Sequence, residues 1–296
     1  MKILFIGSVI FSKKILLSLI KKKYEICGII TKRKSSVNSD FYNLKQISIK
    51  YKIDCLITKN INDNSVINWI RNKKPDLILC CGWSQLISEK ILKIPNKFSI
   101  GYHPSDLPNN RGRHPIIWTL ALGLKKSYSC FFTMTKHADA GYILDKKVVS
   151  INQNDNAGNL YKKLNNVASI QVINLMKKIK INKFHNLNKN KYVITKGNFW
   201  RKRNFKDGII DWRMNAINIL NLIKSLAHPY PGAQMIYKNK SVRVLNAKIV
   251  KNNDLNLEPG KVLKVKRNGE FLIKTGKDSI LIKKTKPKIK INDSYL

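Results

Sequence analysis

Over the first third of the chain, short unbroken apolar runs alternate with stretches in which apolar side chains recur every three or four positions. Strands buried on both faces read as continuous apolar runs and surface helices as a 3.6-residue repeat, so the pattern predicts a parallel sheet wrapped by helices. Ile3–Ile6 reads as a strand ending at Gly7, and Phe11–Lys22, with Ile15, Leu16 and Ile20 at helical spacing, as the helix after it. Further strands are expected at Ile26–Thr31, Asp54–Thr58, Leu77–Cys81 and Phe98–Tyr102, and helices at Leu44–Tyr51, Asn64–Lys73 and Gln85–Leu92. Tyr128–Met134 is one more apolar run.

From Met176 to Lys206 the chain becomes rich in Lys and Asn with few spaced apolar residues, which reads as a surface linker. Asp211–Ala227 then gives an amphipathic helix through Trp212, Ile219, Leu220 and Ile223, broken by Pro229-Tyr230-Pro231-Gly232. β-like pieces follow at Met235–Tyr237, Val242–Val250, Lys261–Val265, Phe271–Lys274 and Ile280–Ile282, a series of short strands that suggests a small barrel. The expected architecture is α/β: a Rossmann-like, doubly wound, mostly parallel sheet over residues 1–180, a linker over 181–206, and a smaller β-barrel-like domain over 207–296. A chain of 296 residues can bury two cores without a disulfide or metal staple.

No window approaches the ~20 consecutive apolar residues of a membrane span, and the first apolar run ends at Gly7, too soon for the core of a signal peptide. Five cysteines, an odd number without CxxC pairing, fit reduced thiols in a cytoplasmic protein. The charge is more ambiguous. Lysine and arginine total 57 against 17 acidic residues, a formal +40, yet only nine of the basic residues are arginine and no single block holds the charge. Two readings stay open: solvated lysine surfaces, or an anionic partner such as nucleotide phosphates or an RNA backbone.

Candidate chemistry lies after the strands, because open α/β sheets hold ligands beyond their carboxyl ends. Gly7-Ser8-Val9-Ile10-Phe11 links the first strand to a helix; it is either a tight turn or a turn whose N–H groups receive an anion, with Gly7 and Ser8 as substrate contacts. It lacks the GxGxxG fingerprint, so no dinucleotide is inferred. The stretch Gly101-Tyr102-His103-Pro104-Ser105-Asp106-Leu107-Pro108-Asn109-Asn110-Arg111-Gly112-Arg113-His114-Pro115 is dense in polar and turn-forming residues directly after an apolar strand. A neutral imidazole there can take a proton from an attacking amine, its ordinary pKa of ~6.5 lying near working pH. His137-Ala138-Asp139-Ala140-Gly141 supplies a carboxylate that can orient His103. Ile117 and Trp118, at helical spacing, read as core.

His103-Pro-Ser-Asp-Leu-Pro followed by Arg111-Gly112, with Asp139-Ala140-Gly141 later, resembles the active-site signature of the 10-formyltetrahydrofolate-dependent formyltransferases. That family includes methionyl-tRNA formyltransferase and the nucleotide-sugar N-formyltransferases. Asp207-Gly208-Ile-Ile-Asp211-Trp212 and Pro229-Tyr230-Pro231-Gly232-Ala233 resemble the entry to the family's C-terminal domain. The resemblance implies a formyltransferase fold and activity, 10-formyltetrahydrofolate as co-substrate, and neither metal nor nicotinamide. It makes His103 the catalytic histidine and Asp139 the aspartate supporting it. Where the family has an asparagine holding the formyl oxygen, this chain has Gly101, so Ser105, His114, a backbone N–H or water must substitute, or catalysis is weakened.

The same resemblance sets the pterin against Cys81, Gly82, Trp83, Ser84 and Leu86 and against Ala140, Gly141 and Tyr142, and turns Arg111, Arg113 and His114 toward the acceptor. Methionyl-tRNA formyltransferases carry Arg-Gly-Ala-Ala-Pro after the Leu-Pro and a long basic loop after the second strand. Here the sequence is Arg111-Gly112-Arg113-His114-Pro115 and the Lys32–Asp40 loop is shorter, a form closer to the enzymes that formylate nucleotide-linked amino sugars. The expected acceptor is such a sugar. Methionyl-tRNA is the alternative, and a non-enzymatic folate- or glycan-associated binding protein, prompted by Gly101, the third reading. Whether the C-terminal domain pairs two copies as a homodimer or meets the acceptor stays open.

Overall fold

Ile3, Leu4, Phe5 and Ile6 have no solvent exposure because β1 (Lys2–Ile6) is paired along both edges, with β2 (Glu25–Thr31) and β4 (Leu77–Cys80). The computed structural model describes residues 1–35, 38–184 and 196–296, which divide into two compact units. The first comprises 1–115, 126–150 and 161–201. Its seven-stranded sheet runs β3-β2-β1-β4-β5-β7-β8, with β3 at Cys55–Ile57, β5 at Phe98–His103, β7 at Lys126–Thr133 and β8 at Ile143–Ser150. Strands β1 to β5 are parallel and β7 and β8 antiparallel, so the expected mostly parallel, doubly wound sheet is the one observed.

Four helices follow the early strands: α1 (Ile10–Lys21), α2 (Lys45–Lys50), α3 (Asn64–Asn72) and α4 (Glu89–Leu92). The last is far shorter than the expected Gln85–Leu92 helix. Asn62 explains the difference: its amide donates to the Leu86 carbonyl and its oxygen accepts the Ser88 N–H, holding residues 85–88 as a loop before the cap. A short α5 (Pro115–Ala121) carries Ile117 and Trp118; Ile117 is buried as expected, and the Arg203 guanidinium lies over the Trp118 ring at 5.6 Å.

The 24-residue α6 (Ala157–Lys180) is the element sequence reading missed. Val172, Leu175, Met176 and Ile179 continue its helical repeat and pack with Ile3, Phe5 and Leu16, so Met176–Lys180 is core helix where a linker was expected. Of the linker proper, residues 185–195 lie outside the described residues. Its later part is not a free surface strand either: β9 (Phe199–Trp200) pairs in parallel with β6 (Arg111–Gly112).

The second unit takes in 116–125, 151–160 and 202–296. It holds an antiparallel sheet in the order β10-β11-β14-β13-β12, from β10 (Ala233–Tyr237), β11 (Lys240–Val250), β12 (Val262–Val265), β13 (Phe271–Lys274) and β14 (Ser279–Lys286). No pairing joins the end strands β10 and β12 among the described residues. Helix α7 (Ala216–Ser225) lays Ile219 and Ile223 on Val242, Val244, Phe271 and Ile282. It starts later than the predicted Asp211, whose carboxylate instead accepts the Arg213 N–H and guanidinium in a turn. No helix among the described residues is long and apolar enough to cross a membrane.

Phe5, fully buried in the first core, sets the scale of its stability. Phe5→Ala is expected to cost about 3–5 kcal/mol, read as a lower urea midpoint with an unchanged slope.

Candidate active site

Strand β5 delivers His103 at its carboxyl end, where the ring is 6% exposed. Its Nδ1 lies 3.6 Å from Asp139 Oδ1, an electrostatic contact longer than a hydrogen bond. Its Nε2 lies 3.2 Å from the Asn110 carbonyl oxygen. The ring thus stands between a carboxylate oxygen and a backbone carbonyl oxygen. Sequence reading found the first partner and missed the second, since a backbone carbonyl leaves no signal in residue type.

Asp139 is aimed by its neighbours. Gly112 N–H donates to Asp139 Oδ2 at 3.1 Å, joining the loop after β5 to the loop after β7. Behind the aspartate, Gly141 rides directly on the Thr133 carbonyl, which a Cβ would approach to 1.5 Å. Thr133 also donates its N–H to the Tyr142 carbonyl at 2.8 Å and accepts the Tyr142 N–H on its hydroxyl at 2.9 Å. Asn110, His114 and Asp139 take φ of 59°, 57° and 53°. Left-handed non-glycine residues cost of order 1–3 kcal/mol each and gather where surrounding structure fixes a functional geometry.

The His103 loop is braced along its length. Ser127 donates to the Pro104 carbonyl at 3.2 Å and Lys146 to the Leu107 carbonyl at 2.7 Å, while Ser105 is buried with its hydroxyl on the Asn109 carbonyl at 3.4 Å. Asn198 accepts the Asn110 N–H at 2.9 Å, Arg111 reaches the Gly197 carbonyl at 3.5 Å, and Arg113 N–H donates to the Trp200 carbonyl at 3.0 Å. His114 directly precedes α5.

Gly101 has a packing reason. It pairs with Phe132 across β7, and a Cβ there would meet the Phe132 ring at 2.7 Å and Met134 at 3.1 Å. The space an amide side chain would need is taken by apolar groups, as glycine opposite an aromatic residue allows.

The other expected contacts divide. Gly7 and Ser8 do not offer an anion site, contrary to the ligand-lining reading: the N–H groups of residues 7 to 11 go to Ile30 O, Gly82 O, Ser12 Oγ, Asp40 O and Tyr161 Oη. Gly82 takes φ 73°, and a Cβ there would strike Val9. Cys81 is buried with its N–H on Ile6 and its carbonyl on Ser12, and burial pushes its thiol pKa well up. Leu86 is exposed with its carbonyl on Asn62. Ala140 is buried and Tyr142 exposed. Trp83 and Ser84 meet Lys32, which sequence reading passed over: its ammonium lies over the Trp83 ring at 4.8 Å and 3.5 Å from Ser84 Oγ.

Residues 1–176 match the formyl transferase family and residues 203–293 its C-terminal domain. The chain belongs to the formyl transferase family. It resembles the bifunctional polymyxin resistance protein ArnA of Wigglesworthia glossinidia brevipalpis, 35% identical over 237 residues, which are 78% of this chain and only 35% of that protein. It is 28% identical to the methionyl-tRNA formyltransferase of Caldanaerobacter subterraneus subsp. tengcongensis, over 95% of this chain and 91% of the relative. The fold matches the N-formyltransferase of Helicobacter canadensis, solved with folinic acid and dTDP-3-aminofucose, at a TM-score of 0.68 and 15% identity over 96% and 99% of the two chains.

The chain is a formyltransferase enzyme, and HypX of Aquifex aeolicus, whose solved structure its fold resembles at a TM-score of 0.62 and 17% identity, holds tetrahydrofolic acid. The loop after β4 carries polar side chains that suit a polar heterocycle. Trp83 Nε1, Gln85 Oε1 and Ser88 Oγ are buried without a hydrogen-bond partner among the described residues. Buried polar atoms are seldom left unmet in a folded protein, and a pterin ring carries both donors and acceptors.

The packing at Gly101 is testable. Gly101→Asn alone is expected to destabilise by about 1–3 kcal/mol through overpacking. Adding Phe132→Ala should recover part of that loss beyond additivity, by about 0.5–3 kcal/mol of coupling, measured as denaturation midpoints of the four members of the cycle.

Proposed function

We propose that this formyl transferase moves the formyl group of 10-formyltetrahydrofolate onto the primary amine of a nucleotide-linked amino sugar. The observation that carries this reading is the segment after β2. Ile10 donates to the Asp40 carbonyl at 2.9 Å, Phe41 bridges Val9, Tyr42 donates to the Ser8 carbonyl at 2.9 Å, and the Tyr161 hydroxyl donates to the Asp40 carboxylate at 2.6 Å. Residues 38–42 are thus folded onto the start of α1 instead of extending as a long basic arm toward an RNA. The Arg111-Gly112-Arg113-His114 sequence and the 35% identity to ArnA support the same class of acceptor.

In this reading His103 receives the proton that the acceptor amine sheds as its nitrogen bonds to the formyl carbon, and returns it to the folate nitrogen as that bond breaks. Asp139 is the positioning residue that holds the ring and stabilises its charged form. The folate supplies an activated formyl carbon. Trp83, Ser84, Gln85 and the Asp139–Tyr142 turn hold it. The enzyme is read as cytoplasmic, in keeping with five free cysteines.

Methionyl-tRNA is the second reading, favoured by near-full-length relatives of that name and by the formal charge of +40. Turnover of 10-formyltetrahydrofolate against amino-sugar nucleotides and methionyl-tRNA separates the two. Saturable turnover with one UDP-, TDP- or GDP-linked amino sugar is expected; turnover with tRNA alone, with affinity falling steeply as salt rises, would replace the sugar reading. In the same assay His103→Ala should lower kcat by about 10²–10⁴ while leaving the unfolding midpoint little changed, and undiminished turnover would remove His103 from the reaction.

A further inference from the structure

Lys146, on β8, carries no signal in the sequence, yet it reaches the loop that begins at His103. His103 on β5 pairs with Cys130 on β7, and Cys130 in turn pairs with Lys146. Residues set directly opposite one another in neighbouring strands project from the same face of a sheet, so His103, Cys130 and Lys146 form one row. Cys130, in the middle, is fully buried, and burial pushes its thiol pKa up to about 12, which makes it a neutral spacer. The Leu107 side chain packs with Cys130 and Phe132. From the far end of the row the Lys146 ammonium reaches back to the loop after β5. It donates to the Leu107 carbonyl at 2.7 Å, forms an ion pair with the Asp106 carboxylate, and lies over the Tyr128 ring at 4.6 Å from its centre. Both members of the ion pair are partly buried. An ammonium is a point charge with three donors, and two acceptors and a ring face engage this one within the protein.

Just beyond this anchor the chain turns back on itself. Asn109 N–H donates to the Asp106 carbonyl at 2.8 Å, and the Asn110 carbonyl oxygen comes to 3.2 Å from His103 Nε2. We infer that Lys146 is a positioning residue for the reaction: by holding Asp106 and the Leu107 carbonyl it fixes the turn that returns the chain to the imidazole. Lys146 acts through the loop and not on the substrates. A misplacement of about 1 Å at a reacting group can cost about 10²-fold in rate, so a loop anchored from a strand two places away bears on catalysis without touching it. The inference rests on the reading of His103 as the base for its effect on rate, though not for its effect on the loop.

Two readouts on the intact protein test this: hydrogen exchange of the Leu107 and Asn109 amides, and turnover of 10-formyltetrahydrofolate with whichever amino-sugar nucleotide or methionyl-tRNA is accepted. Lys146→Met, which keeps the length of the side chain and removes its charge, should speed exchange at both amides by about tenfold or more, the loss of one charge-assisted hydrogen bond. Its kcat and kcat/KM should fall together by about 10–10² with the KM of both substrates held, because what is lost serves the transition state alone. Lys146→Arg, which keeps a cation for Asp106, should recover most of both. Asp106→Asn should reproduce part of the loss, and the double variant should lose less than the sum of the two. Unchanged exchange in Lys146→Met would overturn the inference, and so would unchanged kcat in a protein whose His103→Ala variant is inactive. A raised KM with unchanged kcat would also overturn it by making Lys146 a ligand contact, as would exchange that quickens throughout the sheet, the mark of a purely structural part. If the two amides exchange faster while His103→Ala turns over undiminished, the loop anchor stands and the reading of His103 as the base falls.

Discussion

In the proposed active site the Gly112 N–H donates to Asp139 Oδ2 at 3.1 Å, joining the loop after β5 to the loop after β7. His103 is fixed by its strand, but Asp139 sits in a turn whose backbone is in the left-handed region and has no regular structure to aim it. The aspartate faces the imidazole because the loop after β5 takes one carboxylate oxygen and leaves the other toward the ring. That loop is held in turn by β9, which lays the Trp200 backbone along Gly112 so closely that a Cβ on Gly112 would come within 2.3 Å of the Trp200 carbonyl. Orientation of the proposed base therefore depends on a chain of main-chain contacts, and the family's side-chain signature is its visible end.

Gly101 changes where the developing charge of the reaction can be met. With Phe132 and Met134 filling the space beside it, the strand offers no side-chain donor at that position. A lost oxyanion donor typically costs about 10²–10³ in rate unless another replaces it. Asn110 and Gly112 lie in the same braced loop as His103, whose Nε2 rests 3.2 Å from the Asn110 carbonyl oxygen. Some of the ion pairs among the described residues join two exposed side chains, and such surface pairs contribute little to stability.

The strands of the parallel sheet were legible because each is an apolar run bounded by a turn, and the His103 and Asp139 segments because reactive residue types cluster there. α6 was not. Its buried positions are spaced among lysines and asparagines that dilute the repeat, and only contact with Ile3, Phe5 and Leu16 makes the stripe evident. β9 was missed for a similar reason, since a two-residue strand is defined by its partner and not by its own pattern. At the turn after β1 the composition allowed both an anion site and a tight turn; only the destinations of its N–H groups separate the two. Lys32 carried no signal among so many lysines, and its place beside Arg113 emerges from topology alone.

Replacement of Asp139 by asparagine tests the account most directly, because it keeps shape and a hydrogen-bond acceptor for Gly112 while removing the charge facing His103. The account predicts that kcat falls by about 10²–10⁴ with an unchanged unfolding midpoint, and that the His103 ring nitrogens shift in NMR. Turnover by Asp139→Asn equal to that of the natural chain would contradict it.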